Sequence, residues 1–265
     1  MAGVASDSTR DPYFSLDIID INSPFVHTDI REAGLVCSFH CPTVIIADVE
    51  LEFSIRSEYP PSWVPDSTPE HPFSTSQNGR LLVVEFVDPE FHPGDGHIFV
   101  LFVHLSTILA RIKSICDGQT GCIFPWEDWG PQDARMMDSD QCDFLYNIHG
   151  TKFVKRFPDR SGIELYDFNH RAIRHLLLSG EVDRQTKLLT EDTTCDEEGA
   201  MFKQPVTTSL PCLIKTFPSL TGTRVVPRVM LSEDALIVQY VCIYLLAVCI
   251  LFLTSRNRGR MVQNL

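Results

Sequence analysis

The sequence predicts a mainly β, antiparallel fold with one short amphipathic helix and a C-terminal transmembrane helix. Three observations carry this expectation. Short runs of β-branched and aromatic residues recur between stretches rich in Pro, Gly, Ser and Asp, the pattern of a sandwich, barrel or propeller. One stretch changes to helical spacing. One uninterrupted apolar run lies near the end of the chain.

Taken in order, residues 1–11 are small and polar and are expected to be disordered. Strands are expected at "YFSLDIIDI" (13–21), "LVCSF" (35–39), "VIIADVELEFSI" (44–55), "LLVVEFV" (81–87) and "HIFVLFV" (97–103). Turn-rich stretches at 57–79 and 88–96 separate them. In "HLSTILARIKSICDG", Leu105, Ile108, Leu109, Ile112 and Ile115 fall on one helical face. Ser106 is placed to cap that helix and Gly118 to stop it, with Arg111 and Lys113 on the wet face. Further strands are expected at 151–157, 162–168, 172–178, 206–217 and 223–231. Residues 179–205 carry Asp192, Asp196, Glu197 and Glu198 close together and read as a solvated acidic loop. Residues 12–234 together make one β-rich domain on this reading.

The apolar run, "LIVQYVCIYLLAVCILFL", is bounded by Leu236 and Leu253 and contains no charge. As a helix it would rise roughly 27 Å, close to the hydrocarbon thickness of a bilayer. Arg256, Arg258 and Arg260 follow in a basic tail, 254–265. A tail-anchored, single-pass arrangement with the bulk of the chain in the cytosol is the most economical topology. The alternative is a soluble cytoplasmic chain whose apolar tail is translated intron.

The chain has 265 residues, long enough for a sizeable core, with 44% hydrophobic and 22% charged residues. A formal charge of −13 argues against nucleic acid as a partner, because phosphate binding needs a concentrated basic face. The nine cysteines are scattered and odd in number, and no N-x-[ST] acceptor occurs, which points to free thiols in a reducing compartment.

The familiar catalytic and nucleotide-binding signatures are missing. "DPEFHPGDGH" gathers Asp88, His92, Asp95 and His97, types that accept metals, but its Pro, Gly and Asp are what an exposed turn needs. "CSFHC" brings Cys37, His40 and Cys41 together; on a strand both thiols share one face and read as core. Glu127 and Asp128 are adjacent, so on a strand they diverge and cannot act as an acid–base pair. The expectation is a protein with no catalytic residue, no cofactor and no metal.

The densest feature is "IFPWEDWGPQDARMM" (123–137), with Trp126 and Trp129 three residues apart before Gly130-Pro131. It reads as a strand end followed by a turn whose indoles fold onto a sheet corner, the Gly-Pro pair stopping any regular element. Downstream, "FLYNIHGTKFVKRF" (144–157) reads as a strand, a His149-Gly150 turn and a second strand.

These elements, with "IELYDFN" and "EEGAMFKQPVTTSLPCLIKTF", resemble in order and spacing the C-terminal region of basidiomycete F-box proteins. Upstream, "FSIRSEYPPSW", "GRLLVVEF" and "VLFVHLSTILARI" resemble the sequences that precede it there. The resemblance runs from about Tyr13 to Ile237. It implies partial propeller-like sheets that recognise target proteins, while an N-terminal F-box docks the Skp adaptor of a ubiquitin ligase. The F-box pattern is not visible in this chain, so the Skp adaptor is not an expected partner. Trp126, Trp129, Gly130, His149 and Gly150 match the motif and are carried over as structural residues. The leading functional expectation is thus a non-enzymatic protein-interaction module with an unknown protein partner, tethered to a membrane by residues 236–253. A soluble structural remnant is one alternative. A metal-dependent hydrolase using His92 and His97 is the other.

Overall fold

The computed structural model describes residues 2–5, 13–19, 34–45, 52–58, 79–87, 98–115, 121–139, 147–156, 162–180, 183–196, 201–218, 227–231, 235–242, 245–252 and 261–264. Four strands come first: β1 (Ala2–Ala5), β2 (Tyr13–Ile19), β3 (Leu35–His40) and β4 (Glu52–Ser57). Next are β5 (Leu81–Val87), β6 (Ile98–His104), α1 (Leu105–Ser114), β7 (Cys122–Phe124), α2 (Trp126–Asp133) and β8 (Ala134–Ser139). The hairpin β9 (Ile148–His149) and β10 (Lys152–Arg156) precedes β11 (Gly162–Asp167) and α3 (His170–Ser179). The remainder is β12 (Thr186–Leu189), β13 (Thr193–Cys195), β14 (Val206–Thr208), β15 (Cys212–Pro218), β16 (Pro227–Leu231), β17 (Ala235–Cys242), β18 (Leu245–Phe252) and β19 (Met261–Asn264).

The fold is mainly β, its sheets largely antiparallel among the described residues, with β3 meeting β7 in parallel. Among the described residues the strands form five sheets, in the orders β1-β2-β3-β7, β4-β5-β6-β8, β13-β14, β12-β15-β11-β10-β9 and β16-β17-β18-β19. Among the described residues there is no closed barrel or propeller. Among the described residues there are three short helices where one was expected.

The chain divides into two compact units, each assembled from three segments. Unit 1 takes Met1–Arg56, Leu82–Cys142 and Glu191–Leu210; unit 2 takes Ser57–Leu81, Asp143–Thr190 and Pro211–Leu265. In unit 1, alternate residues of β2, β3, β5 and β6 point inward, as a period of two requires. Phe14 stacks on Phe53 at 4.8 Å and meets Phe86 edge-on at 6.1 Å, and Phe86 in turn meets Phe202 at 5.5 Å. Burying aromatic rings of this size dominates the core energetics. Strand β6 is buried along its whole length, consistent with its unbroken apolar sequence. Helix α1 lays Ile108 into this core, with Ile112 and Ile115 packed against it. Its N-cap is His104 and not Ser106, and Gly118 lies outside the described residues. Arg111 is not simply on the wet face: its guanidinium donates to the Asp128 carbonyl at 2.9 Å and lies 3.6 Å from Asp133, tying α1 to α2.

In unit 2 the five-stranded sheet buries Phe153, Val154, Ile163, Leu165 and Tyr166, and α3 contributes Ile173. Residues 172–178, expected as a strand, are the body of α3. Local chemistry decides this. The Asn169 side chain accepts from the Arg171 and Ala172 amides, and Gly180 closes the helix at φ 67°, a left-handed position that suits glycine.

The expected acidic loop also contains structure. Strands β12 and β13 lie within it, and Cys195, Asp196, Met201 and Phe202 are buried. Asp196 turns the chain at φ 59°, and its carboxylate accepts the amides of Met201 and Phe202. Within residues 1–11, Ala2–Ala5 form β1 and pair with β2.

The largest correction concerns the run bounded by Leu236 and Leu253. It forms β17 and β18, paired antiparallel from Ala235↔Phe252 to Cys242↔Leu245. Among the described residues no helix is long and apolar enough to cross a membrane. An apolar run without periodicity fits a buried strand pair as well as a helix, and Ile237, Val238, Val241, Val248 and Ile250 favour the pleated backbone.

Candidate functional site

The tryptophan stretch forms one wall of an open cleft of about 810 Å³ within unit 1. Pro125 cannot donate a backbone N–H, so it ends β7 and starts α2, with Trp126 as the first helical residue. The expectation that Gly130-Pro131 stops any regular element is corrected: both lie inside α2, which runs on to Asp133. Pro131 forgoes one amide bond within α2, the one its N–H would have given to the Glu127 carbonyl.

Trp126 and Trp129 are three apart on a helix and so share a side, meeting edge-on at 5.2 Å. Trp129 is buried, packs edge-on against Phe39 at 5.6 Å and donates its indole N–H to the His40 carbonyl at 3.0 Å. Phe39 stacks on Phe124 at 4.8 Å, completing an aromatic corner between β3, β7 and α2. Gly130 has a steric reason. A Cβ there would sit 2.1 Å from two carbons of the Trp126 ring, so only glycine lets the half-buried indole lie against the helix backbone. His149 and Gly150 belong to unit 2, where Gly150 turns the β9–β10 hairpin at φ 57°. Glu58 clasps that turn, accepting the Gly150 amide at 2.7 Å and lying 3.4 Å from the His149 ring.

The cleft is also lined by His40 at the end of β3, by Cys41, Pro42 and Thr43 after it, and by Lys203, Gln204, Pro205 and Thr207 around β14. The residues from Thr208 to Leu210 hold the two walls in register. Ser209 donates its amide to the Pro131 carbonyl at 2.8 Å, the Leu210 amide bonds Ala134, and the Thr208 hydroxyl accepts the Met136 amide. Beneath them Arg135 is fully buried. Its guanidinium donates to the Leu210 carbonyl at 2.7 Å, the Glu191 carbonyl at 2.9 Å and the Thr193 hydroxyl at 2.8 Å.

Burial pushes the Cys41 thiol up to about 12, so it stays protonated and a poor nucleophile. Burial also lowers His40, keeping its ring neutral near pH 7 despite the raising influence of Asp17 and Glu127. Among the described residues no group of three or more His, Cys, Asp or Glu could hold a metal ion. Asp88, His92, Asp95 and His97 lie outside the described residues.

Sequence reasoning found Trp126, Trp129 and Gly130 but not the opposite wall. His40 and Lys203 stand 86 and 77 residues from Trp126 in the sequence, and no spacing rule links them. The "TSLP" element was the available signal, and its Thr208 and Ser209 pin the cleft together.

No protein family, curated protein or solved structure matches the chain.

Proposed function

We propose that this chain is a non-enzymatic protein-interaction module, and that the cleft beside Trp126 is its contact surface. The carrying observation is the composition of that cleft: a half-buried indole, four prolines and a rim of Thr, Gln and Ser side chains. Prolines offer flat apolar faces and no amide donors, while the hydroxyl and amide groups supply hydrogen bonds that fix orientation. An extended segment of a partner protein satisfies such a lining, with apolar side chains on Trp126 and its backbone on the polar rim. The protonated Cys41 and neutral His40 support binding without covalent chemistry. The motif resemblance to the target-recognition region of basidiomycete F-box proteins supports the same reading.

A photo-crosslinking residue placed at Gln204 tests it, with the same residue at Lys187 in unit 2 as control. Capture of a defined protein from Gln204, lost on Trp126→Ala and absent from Lys187, is the expected result. Equal capture from both positions, or none from either, rejects the cleft as the contact surface.

A further inference from the structure

Beneath the cleft, β3 and β7 run side by side and in parallel, and each delivers one wall of it. Strand β3 ends at His40 and leads to Cys41, while β7 ends at Phe124 and leads to Pro125 and Trp126. Their register pairs Phe39 with Phe124 and, two residues earlier on both strands, Cys37 with Cys122. Phe39 and Phe124 stack at 4.8 Å, so they share a face of the sheet. A period of two then places the side chains of Cys37 and Cys122 together on that same face. Both belong with the core of unit 1, Cys37 buried and Cys122 half-buried, and both are free thiols. Neighbouring strands lie about 4.8 Å apart, within the roughly 4.4–6.8 Å between Cα atoms that a disulfide spans.

We propose that Cys37 and Cys122 form a reversible thiol–disulfide pair that ties together the two walls of the cleft, with a low-molecular-weight disulfide as oxidant. The regulatory half of this proposal rests on the cleft being the contact surface; the bond itself does not.

The accessibilities order the steps. Cys122 is the more exposed sulfur, and its thiolate attacks one sulfur of the small disulfide, expelling one thiolate and leaving a mixed disulfide on Cys122. Cys37 then loses its proton and attacks the Cys122 sulfur, expelling the second small thiolate. Two cysteine thiols are oxidised by two electrons in all, one disulfide is reduced to two thiols, and both protons pass to the departing thiolates. Burial, then the charges of Cys122 and Asp17, push Cys37 up to about 11, so the second step is the slow one. Gly121 anchors the start of β7, its amide lying 3.2 Å from the Leu35 carbonyl and 3.1 Å from that of Val36. The cross-link would therefore act at the end of β7 that Gly121 already holds, with Phe124 leading on to the cleft.

The full chain is incubated with oxidised glutathione, free thiols are alkylated, and the linked sites are read by tandem mass spectrometry. The expected product is a Cys37–Cys122 bond reversed by dithiothreitol, absent in Cys122→Ser, and replaced in Cys37→Ser by a glutathione adduct on Cys122. Alkylated Cys37 beside a persistent glutathione adduct on Cys122 in the unaltered protein overturns the pair. So does a fully alkylated Cys122. Acrylamide quenching assigned to Trp126, as the difference from Trp126→Phe, reads the cleft in both redox states. A change of about twofold or more is expected; an unchanged value with the bond formed overturns the coupling to the cleft. Failure of the Gln204 crosslinking would leave the mass-spectrometric result standing, so the two proposals fail separately.

Discussion

Gly130 matters because of what lies on it. With the Trp126 ring where an added Cβ would fall, Gly130→Ala must drive the indole off the helix. Overpacking of this kind costs about 2 kcal/mol, expected as a lowered urea midpoint with unchanged slope. Combining it with Trp126→Ala removes the clash, so the double variant is more stable than the two single effects summed. Glu85 carries a different residue-scale prediction. It is buried between a Ser54 hydroxyl at 2.6 Å and the Arg56 guanidinium at 3.5 Å, and burial raises its carboxyl above the ordinary value despite both partners. The folded state therefore holds this proton to higher pH than the unfolded state. Its stabilising contribution is present below the unfolded carboxyl value and lost as pH rises through the folded one. Urea midpoints followed from about pH 4 to pH 8 are expected to fall less steeply with pH in Glu85→Gln than in the unaltered protein. At this scale the tryptophan spacing and the glycine were legible in the sequence. The reason for the glycine was not, because it depends on the rotamer of a neighbour four residues away.

At the scale of elements, most strands of unit 1 were legible because alternation reports directly on a half-buried sheet. Two misreadings have different causes. In "NHRAIRHLLLSG" the leucines suggested a strand, whereas Asn169 and Gly180 mark the start and stop of a helix. Leu177 and Leu178 are exposed on α3, so the apolar run there was not a buried face at all. The run 236–253 lacks any such punctuation and any periodicity, so composition alone had to separate a helix from two strands. The arrangement of β17 and β18 gives a direct test. Ile237 and Ile250 are register partners across the hairpin, yet a continuous helix would hold them roughly 20 Å apart. Paired cysteines at these positions, with Cys242 and Cys249 replaced by serine, are expected to form an intramolecular disulfide under mild oxidation. Cross-linking only between molecules would favour the helix, since a disulfide reaches no more than about 7 Å between Cα atoms.

At the scale of the whole molecule, each unit is built from three separated segments, and unit 1 is incomplete until Glu191–Leu210 has returned to it. That organisation could not be read from the sequence, because nothing local in the acidic stretch announces its partner. Arg135 is where the return is fastened. It sits at the start of β8 with no exposed surface and reaches carbonyls 75 and 56 residues away, at Leu210 and Glu191. Replacing it by Met keeps the volume but strips hydrogen bonds from buried acceptors, each costing about 1–3 kcal/mol. Arg135→Met is therefore expected to lose about 3 kcal/mol, with amide exchange rising first at Ser209 and Leu210, whose amides bond Pro131 and Ala134. Arg135→Lys keeps the charge but offers a point donor in place of a planar fork, and should fall between the two. If instead exchange rises uniformly across unit 1 with Ser209 and Leu210 no more affected than β6, Arg135 stabilises the core as a whole and does not fasten the returning segment.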